Sequence, residues 1–180
     1  MSNIKQTLPT IIACDPSWSS SGIAIFINGI LISTSKIVKP KDSVSVKELL
    51  AFKFKNIVQY LSGEVVLAIE TQYLPHGFTS NSTLKVTEAK GIIEGVFLAT
   101  IPVKDATIID VSPIEAKQAV GVIKRMKRAE SKKAVKEAVL DLYAYAVELI
   151  PNQDIADAVA IGHAAIKKIK AAQILKKFSQ

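Results

Sequence analysis

The first apolar run of the chain ends on an acid. Ile11-Ile12-Ala13-Cys14 leads into Asp15; a small polar turn follows, then Gly22 and a second apolar run. This reads as strand, turn, strand over residues 10–15 and 22–27. Asn28-Gly29 is a strong hairpin signal, because both central residues of a type I′ turn need positive φ. Residues 30–38 therefore read as a third strand, antiparallel to the second. Over residues 45–61, Leu49, Leu50, Phe54, Ile57, Val58 and Leu61 give a broad apolar face, with Phe52 fitting less well. They predict a helix stopped at Ser62-Gly63. Residues 64–70 are nearly all apolar, as a strand buried on both faces should be.

Residues 71–79, with Pro75 and Gly77, read as a loop, and 82–100 as a helix. On that helix Gly91, Gly95 and Ala99 fall at spacing four and line one face. Such a stripe lets another backbone approach closely, either the protein's own sheet or a second copy. Residues 106–111 predict a fifth strand. Ser112-Pro113 caps a short helix that runs to about residue 120. A basic connection over 121–128 carries Lys124, Arg125, Lys127 and Arg128. One long helix is predicted over 129–149, broken by Pro151-Asn152, and a last one over 153–177. The order is that of a single α/β domain over residues 1–180. It has one five-stranded mixed sheet, its first three strands antiparallel, with helices on both faces. A fourth strand beside the first brings Asp15 and Glu70 together at the carboxyl ends of the strands, where open α/β sheets bind ligands.

Composition adds a partner. About half the residues are apolar (49%) and 22% are charged, ordinary for a globular protein of 180 residues. The formal net charge is +7, which suits a polyanionic partner, nucleic acid first, and equally a generally basic soluble protein. The single cysteine, Cys14, excludes a disulfide framework within the chain, and no Cys/His zinc spacing exists. No apolar stretch is long enough for a membrane span. The run after Lys5 breaks at Asp15, unlike a secretory signal, so a cytoplasmic protein is expected.

An acid inside an apolar strand is costly unless it is paired or binds a metal. Asp15 has three acids that could share its site: Glu70, and Asp154 and Asp157 one helical turn apart. Singly, Asp154 or Asp157 could only favour a helix start, and Glu70 could only pair with a lysine. Together the four carboxylates suit two Mg²⁺ ions, hard cations that take oxygen ligands and keep positions for water and phosphate. Two such ions can activate water and stabilise the leaving oxygen of a phosphodiester. Asp15, central on the first strand, suits the shared ligand. His163, nine residues after Asp154, lies on about the opposite side of an ideal helix. It is not expected on the same metal. His76 reads as a loop histidine.

The chain resembles the RuvC-type Holliday-junction resolvases of the ribonuclease H-like superfamily. The resemblance rests on Ile11 to Gly22 with Asp15-Pro16, on Ala68-Ile69-Glu70 followed by Tyr73, and on Glu88-Ala89-Lys90-Gly91. It continues through Val111-Ser112-Pro113 with Lys117-Gln118 to Asp154-Ile155-Ala156-Asp157-Ala158. It covers nearly the whole chain, in order. It implies a homodimeric, Mg²⁺-dependent endonuclease, with Mn²⁺ a substitute, that nicks two opposed strands of a four-way DNA junction. The acids carried over are Asp15, Glu70, Asp154 and Asp157. Tyr73 matches the aromatic that stacks on bases near the crossover. Lys117 and Lys132 match the basic residues near the scissile phosphate. Lys124 and Arg125 are further candidates for DNA, as are Lys167, Lys168, Lys170, Lys176 and Lys177, unless these only keep a helix face wet. The family turn Asp-Pro-Gly-Ser is replaced by Asp15-Pro16-Ser17-Trp18. That departure points towards phage or mobile-element members and puts the cellular enzymes' cut-site preference in doubt.

Three other readings use part of the pattern. A ribonuclease H-like nuclease acting on flaps or RNA/DNA hybrids needs the same acids. A sugar-kinase or actin-like phosphotransferase also places an aspartate after its first strand, but the chain is short for two lobes and Asp154 and Asp157 would have no role. A junction-binding protein without catalysis gains nothing from four acids facing phosphates.

Overall fold

The computed structural model describes residues 7–40, 45–71 and 81–179. Five strands, β1 (Thr10–Asp15), β2 (Ser20–Ile27), β3 (Ile30–Val38), β4 (Val65–Glu70) and β5 (Ala106–Val111), form one sheet in the order β3-β2-β1-β4-β5. β2 runs antiparallel to both of its neighbours, β1 and β3, while β4 and β5 run parallel to β1. The β2–β3 hairpin turns on Asn28 (φ 52°) and Gly29 (φ 80°), the left-handed pair that a type I′ turn requires.

Strand periodicity divides the core in two. Ile12, Cys14, Ile23, Leu67 and Ile69 face α1 (Val46–Val58) and α2 (Asn81–Thr100), which contribute Leu50, Phe54, Ile93 and Phe97. Ile11, Ala13, Ala24, Phe26, Val66 and Ala68 face the other way. They are covered by α3 (Pro113–Ala119), α4 (Arg128–Leu142) and above all α5 (Gln153–Phe178). Helix α3 starts with a reciprocal capping box between Ser112 and Glu115, with Pro113 at its first position.

Helix α5 lies on the sheet because two glycines let it. A Cβ on Gly22 would stand 2.0 Å from the Asp154 carbonyl oxygen, and one on Gly162 would stand 2.1 Å from the Phe26 ring. These approaches bury most of the first half of α5, from Ile155 to Ile166. Each large side chain so buried contributes roughly 1.5–3 kcal/mol.

The expected helix over 129–149 is interrupted. Helix α4 ends at Leu142, and a 3-10 turn over Ala144–Leu149 follows, with Ala146 out of helical geometry. The cause is a pair of tyrosines. The ring of Tyr143 is buried edge-on against Phe26 with centroids 5.9 Å apart, and its hydroxyl lies 2.8 Å from His163 Nδ1. The Tyr145 hydroxyl accepts from the Leu31 amide at 3.0 Å. Residues two apart in a helix point to nearly opposite sides, so the helix gives way for both rings to reach the hairpin side of the body.

The small-residue stripe also differs from close packing on the sheet. Gly91, Gly95 and Ala99 all face outward, and a Cβ on either glycine would meet nothing within 4 Å. Lys90 of the Glu88-Ala89-Lys90-Gly91 segment points to β5 and pairs with Asp110 at 2.5 Å, while Glu88 pairs with Lys47.

The two kinds of glycine should respond oppositely to alanine. Gly162→Ala, which overpacks against Phe26, is expected to cost about 1–3 kcal/mol. Gly91→Ala, where a Cβ meets nothing within the chain, should gain about 0.5–1 kcal/mol from helix propensity at concentrations where the chain is monomeric. Urea unfolding of the two variants checks both signs.

Candidate active site

Strand register sets one row of residues across the sheet. Lys36 on β3 stands opposite Gly22 on β2, and Gly22 opposite Asp15 on β1. The β1–β4 register, with Cys14 level with Ile69, brings Glu70 level with Asp15 at the next step. Glu70 in turn is level with Val111 on β5. Alternation puts this row on the α5 face, in line with Ile11 and Ala13 on β1 and with Val66 and Ala68 on β4. Since Gly22 has no side chain, the first turn of α5 descends into the row and delivers Asp154 and Asp157 beside Asp15.

The result is a cleft of about 440 Å³ lined by Asp15, Glu70, Asp154 and Asp157. Lys117 of α3 and Arg128, Lys132 and Val135 of α4 form its far wall, and Pro16, Ser17 and Ser19 of the first turn and Ser20 of β2 also line it. Asp154 Oδ2 accepts two hydrogen bonds of 2.7 Å, from Ser20 Oγ and from Lys36 Nζ. Asp157 Oδ1 accepts from Gln153 Nε2 at 2.7 Å, and its Oδ2 stands 3.6 Å from Lys132 Nζ. Asn152 caps α5 by accepting from the Ile155 amide, so the helix dipole also favours the acid of the first turn.

The four carboxyls are not equivalent. Burial, then the charges of Glu70 and Asp157, push Asp15 well above the usual carboxylate range. Burial and Asp157 raise Glu70 against the opposing pull of Lys117 and Lys132. Burial raises Asp157 despite its bonds to Gln153 and Lys132. Asp154 alone is lowered: its burial is outweighed by the hydrogen bonds from Lys36 and Ser20. Mutual repulsion in a shielded cleft is relieved by a cation, and hard carboxylate oxygens are the donors Mg²⁺ prefers. In chemistry the donor set fits a divalent metal. Among the described residues no three acidic, histidine or cysteine side chains are grouped closely enough to hold one.

Lys117 and Lys132 line the cleft. Lys124 and Arg125 are exposed on the connection before α4 and do not line it; Arg128, three residues on, does. Tyr73 and His76 lie outside the described residues. His163 is bonded to Tyr143, away from the acids, and lines a separate open groove with Ile30, Tyr145 and Lys170. Lys167 and Lys168 are tied down, donating to the carbonyls of Ala119 and Asp110. Sequence reasoning missed Lys36, Ser20 and Gln153. The one available signal was that Lys36 is the sole charged residue in β3.

No protein-family model matches the chain, and no curated protein does. Solved structures do. Thermus thermophilus RuvC superposes with a TM-score of 0.68 at 15% identity, over 91% of this chain and 96% of that one. T. thermophilus RuvC in complex with Holliday junction substrate gives 0.66 at 16% identity, over 87% and 92%. Fowlpox virus resolvase, in complex with substrate Holliday junction DNA, gives 0.54 at 18% identity, over 89% and 98%. The chain therefore has the RuvC-like ribonuclease H fold expected from its motifs.

The raised Asp15 carboxyl has a consequence for stability. Its folded-state pKa lies above the unfolded value, so its charged form burdens the native state. The burden is absent below the unfolded value, near 4, and grows as pH rises towards the folded one. In metal-free buffer at neutral pH, Asp15→Asn should therefore melt higher than the native chain, by roughly 2–4 °C per kcal/mol relieved. The difference should close near pH 4, and calorimetric melts at the two pH values measure it.

Proposed function

We propose that the chain is a metal-dependent endonuclease that resolves four-way DNA junctions by paired nicking. The observation that carries this reading is the convergence of Asp15, Glu70, Asp154 and Asp157 in one cleft walled by Lys117, Arg128 and Lys132, on a fold shared with proteins solved on Holliday junction DNA. The whole chain acts as one nuclease domain. Asp15, the most buried acid and the one flanked by the others, is the shared metal ligand; Glu70, Asp154 and Asp157 complete the set. Bound Mg²⁺, or Mn²⁺ in its place, supplies an activated water and a counter-charge for the leaving oxygen as the phosphodiester P–O bond breaks. Lys117, Arg128 and Lys132 grip the phosphate that the acids alone would repel. Tyr73, following β4 in sequence, stacks on a base near the crossover, a contact worth about 1–3 kcal/mol. Lys124 and Arg125 extend the basic track.

A junction offers two opposed strands and one chain has one acid set, so the reading requires two copies about a twofold axis. The outer face of α2, with Gly91 and Gly95 open to solvent, is the surface proposed for the second copy.

With Mg²⁺ and a synthetic four-way junction, the native chain should make symmetric nicks. Asp15→Asn should lose at least ~10³-fold in rate, the several kcal/mol a catalytic metal contributes, while still binding the junction. Faster cutting of a flap or RNA/DNA hybrid at equal salt would overturn the junction preference, and binding without cutting would leave a structural role. Lys117→Ala should weaken binding at every sequence and flatten its salt dependence by about one unit of slope.

The dimer has its own test. Gly95→Glu places a charge where a Cβ meets no neighbour, so the fold should survive. Sedimentation should show a dimer for the native chain and a monomer for this variant, with paired nicking lost. A native chain that sediments as a monomer on junction DNA would overturn the arrangement.

A further inference from the structure

We infer that Lys36, assisted by Ser20, is a latch that occupies Oδ2 of Asp154 until a divalent cation displaces the lysine. The inference rests on the metal reading of the cleft proposed above. Both 2.7 Å bonds end on the same oxygen, Asp154 Oδ2. That oxygen is thereby committed to a neutral and a cationic donor on the β2–β3 side, opposite the wall that carries Lys117, Arg128 and Lys132.

Three observations separate Lys36 from an incidental surface ion pair. It stands in the same cross-strand row as Asp15, with only Gly22 between them. Gly22 has no side chain to fill that gap, so the lysine and the first turn of α5 meet over it. Next, the two lysines nearest the acids act differently. Lys132 lines the cleft with all four acids, whereas Lys36 does not line it and reaches Asp154 within ion-pair distance. Lys132 is a counter-charge for the whole group; Lys36 engages one member from outside. Last, of the four acids only Asp154 has a close lysine bond among the described residues, 2.7 Å to Lys36 against 3.6 Å between Lys132 and Asp157.

The pair is built to open. The side chains of Lys36 and Asp154 are 34% and 29% exposed, and ion pairs with access to water are weak. A divalent cation carries twice the charge and competes for the same oxygen. Metal entry and release of Lys36 are then one exchange, and Lys36 is a positioning residue acting through Asp154.

The test is calorimetric titration of the full chain with Mn²⁺, without DNA, for the native protein, Lys36→Met, Lys36→Arg, Ser20→Ala and Asp15→Asn. Lys36→Met should bind about three- to tenfold tighter than native, the scale set by one partly exposed charge-assisted bond. Ser20→Ala should move the same way by less, and Lys36→Arg should stay near native. Ser20→Ala also stands in should Lys36→Met not fold, since it removes half the latch without touching the charge. Unchanged or weaker binding by Lys36→Met and Ser20→Ala, with the native chain still binding Mn²⁺ and Asp15→Asn not, overturns the latch alone. No Mn²⁺ binding by any of the proteins overturns the metal reading, and the latch with it.

Discussion

Where α5 crosses β2 there is room for a hydrogen atom and nothing larger. The Asp154 carbonyl occupies the space that any side chain at position 22 would need, and the geometry of the cleft follows from that contact. Asp15 and Glu70 are placed by strand register, but Asp154 and Asp157 come from a helix more than eighty residues further on. Only the approach of the α5 backbone to the sheet brings the two pairs together. A second close approach, Gly162 on the Phe26 ring, fixes the helix further along. Two contacts define the line of a rigid rod, so α5 can hold its first turn steady while the long apolar stretch behind it supplies the binding energy. Asn152, capping the helix just before the acids, ends the rod where the site begins.

The cleft stores its tension as charge. Among the described residues no buried side-chain nitrogen or oxygen lacks a hydrogen-bond partner. The polar groups are thus satisfied, and what opposes the fold locally is the burial of carboxylates close to one another. Three of the four are raised, by burial first and by neighbouring charges next, while the bonds from Lys36 and Ser20 outweigh the burial of the fourth. A protein selected for stability alone would replace Asp15 with something apolar. Retaining an acid there makes sense when a cation is to be held, since the energy withheld in its absence is returned when it binds.

The acids were legible in the sequence because they break a local rule. Asp15 and Glu70 each end an apolar run, and nothing in strand packing explains a carboxylate there. Their partners Asp154 and Asp157 were legible by helical spacing. The interruption after Leu142 was not, since Tyr143 and Tyr145 read equally well as members of a helix face; what bends the chain is the buried hydroxyl of Tyr143 reaching His163 and that of Tyr145 reaching Leu31. The glycine stripe on α2 showed its spacing but not its direction. Lys36 escaped for a deeper reason: its partner is more than one hundred residues away, and only the registers of two strand pairs and the descent of α5 bring them together. Lone charges in strands report a partner, and sequence alone does not say which.

The basic wall is held at a set distance from the acids by other lysines. Lys167 donates to the Ala119 carbonyl at the end of α3, and Lys168 donates to the Asp110 carbonyl and pairs with Glu115 at 2.8 Å. Hydrogen bonds from Lys168 and Ser112 lower the Glu115 carboxyl to about 2, so it stays ionised at any pH near neutrality and the strut persists. Cations that the sequence offered as ligands for DNA thus serve as braces between α5 and α3. The division of labour matters for a polyanion. The net charge of +7 draws it to the chain, but at the cleft itself a phosphate meets four carboxylates. It can be held there only if Lys117, Arg128 and Lys132 stay close enough to offset them. A wall free to drift outward would leave attraction at long range and repulsion at contact. By tying α3 to the same helix that carries Asp154 and Asp157, the fold makes the distance of Lys117 from the acids a property of α5 rather than of a loop.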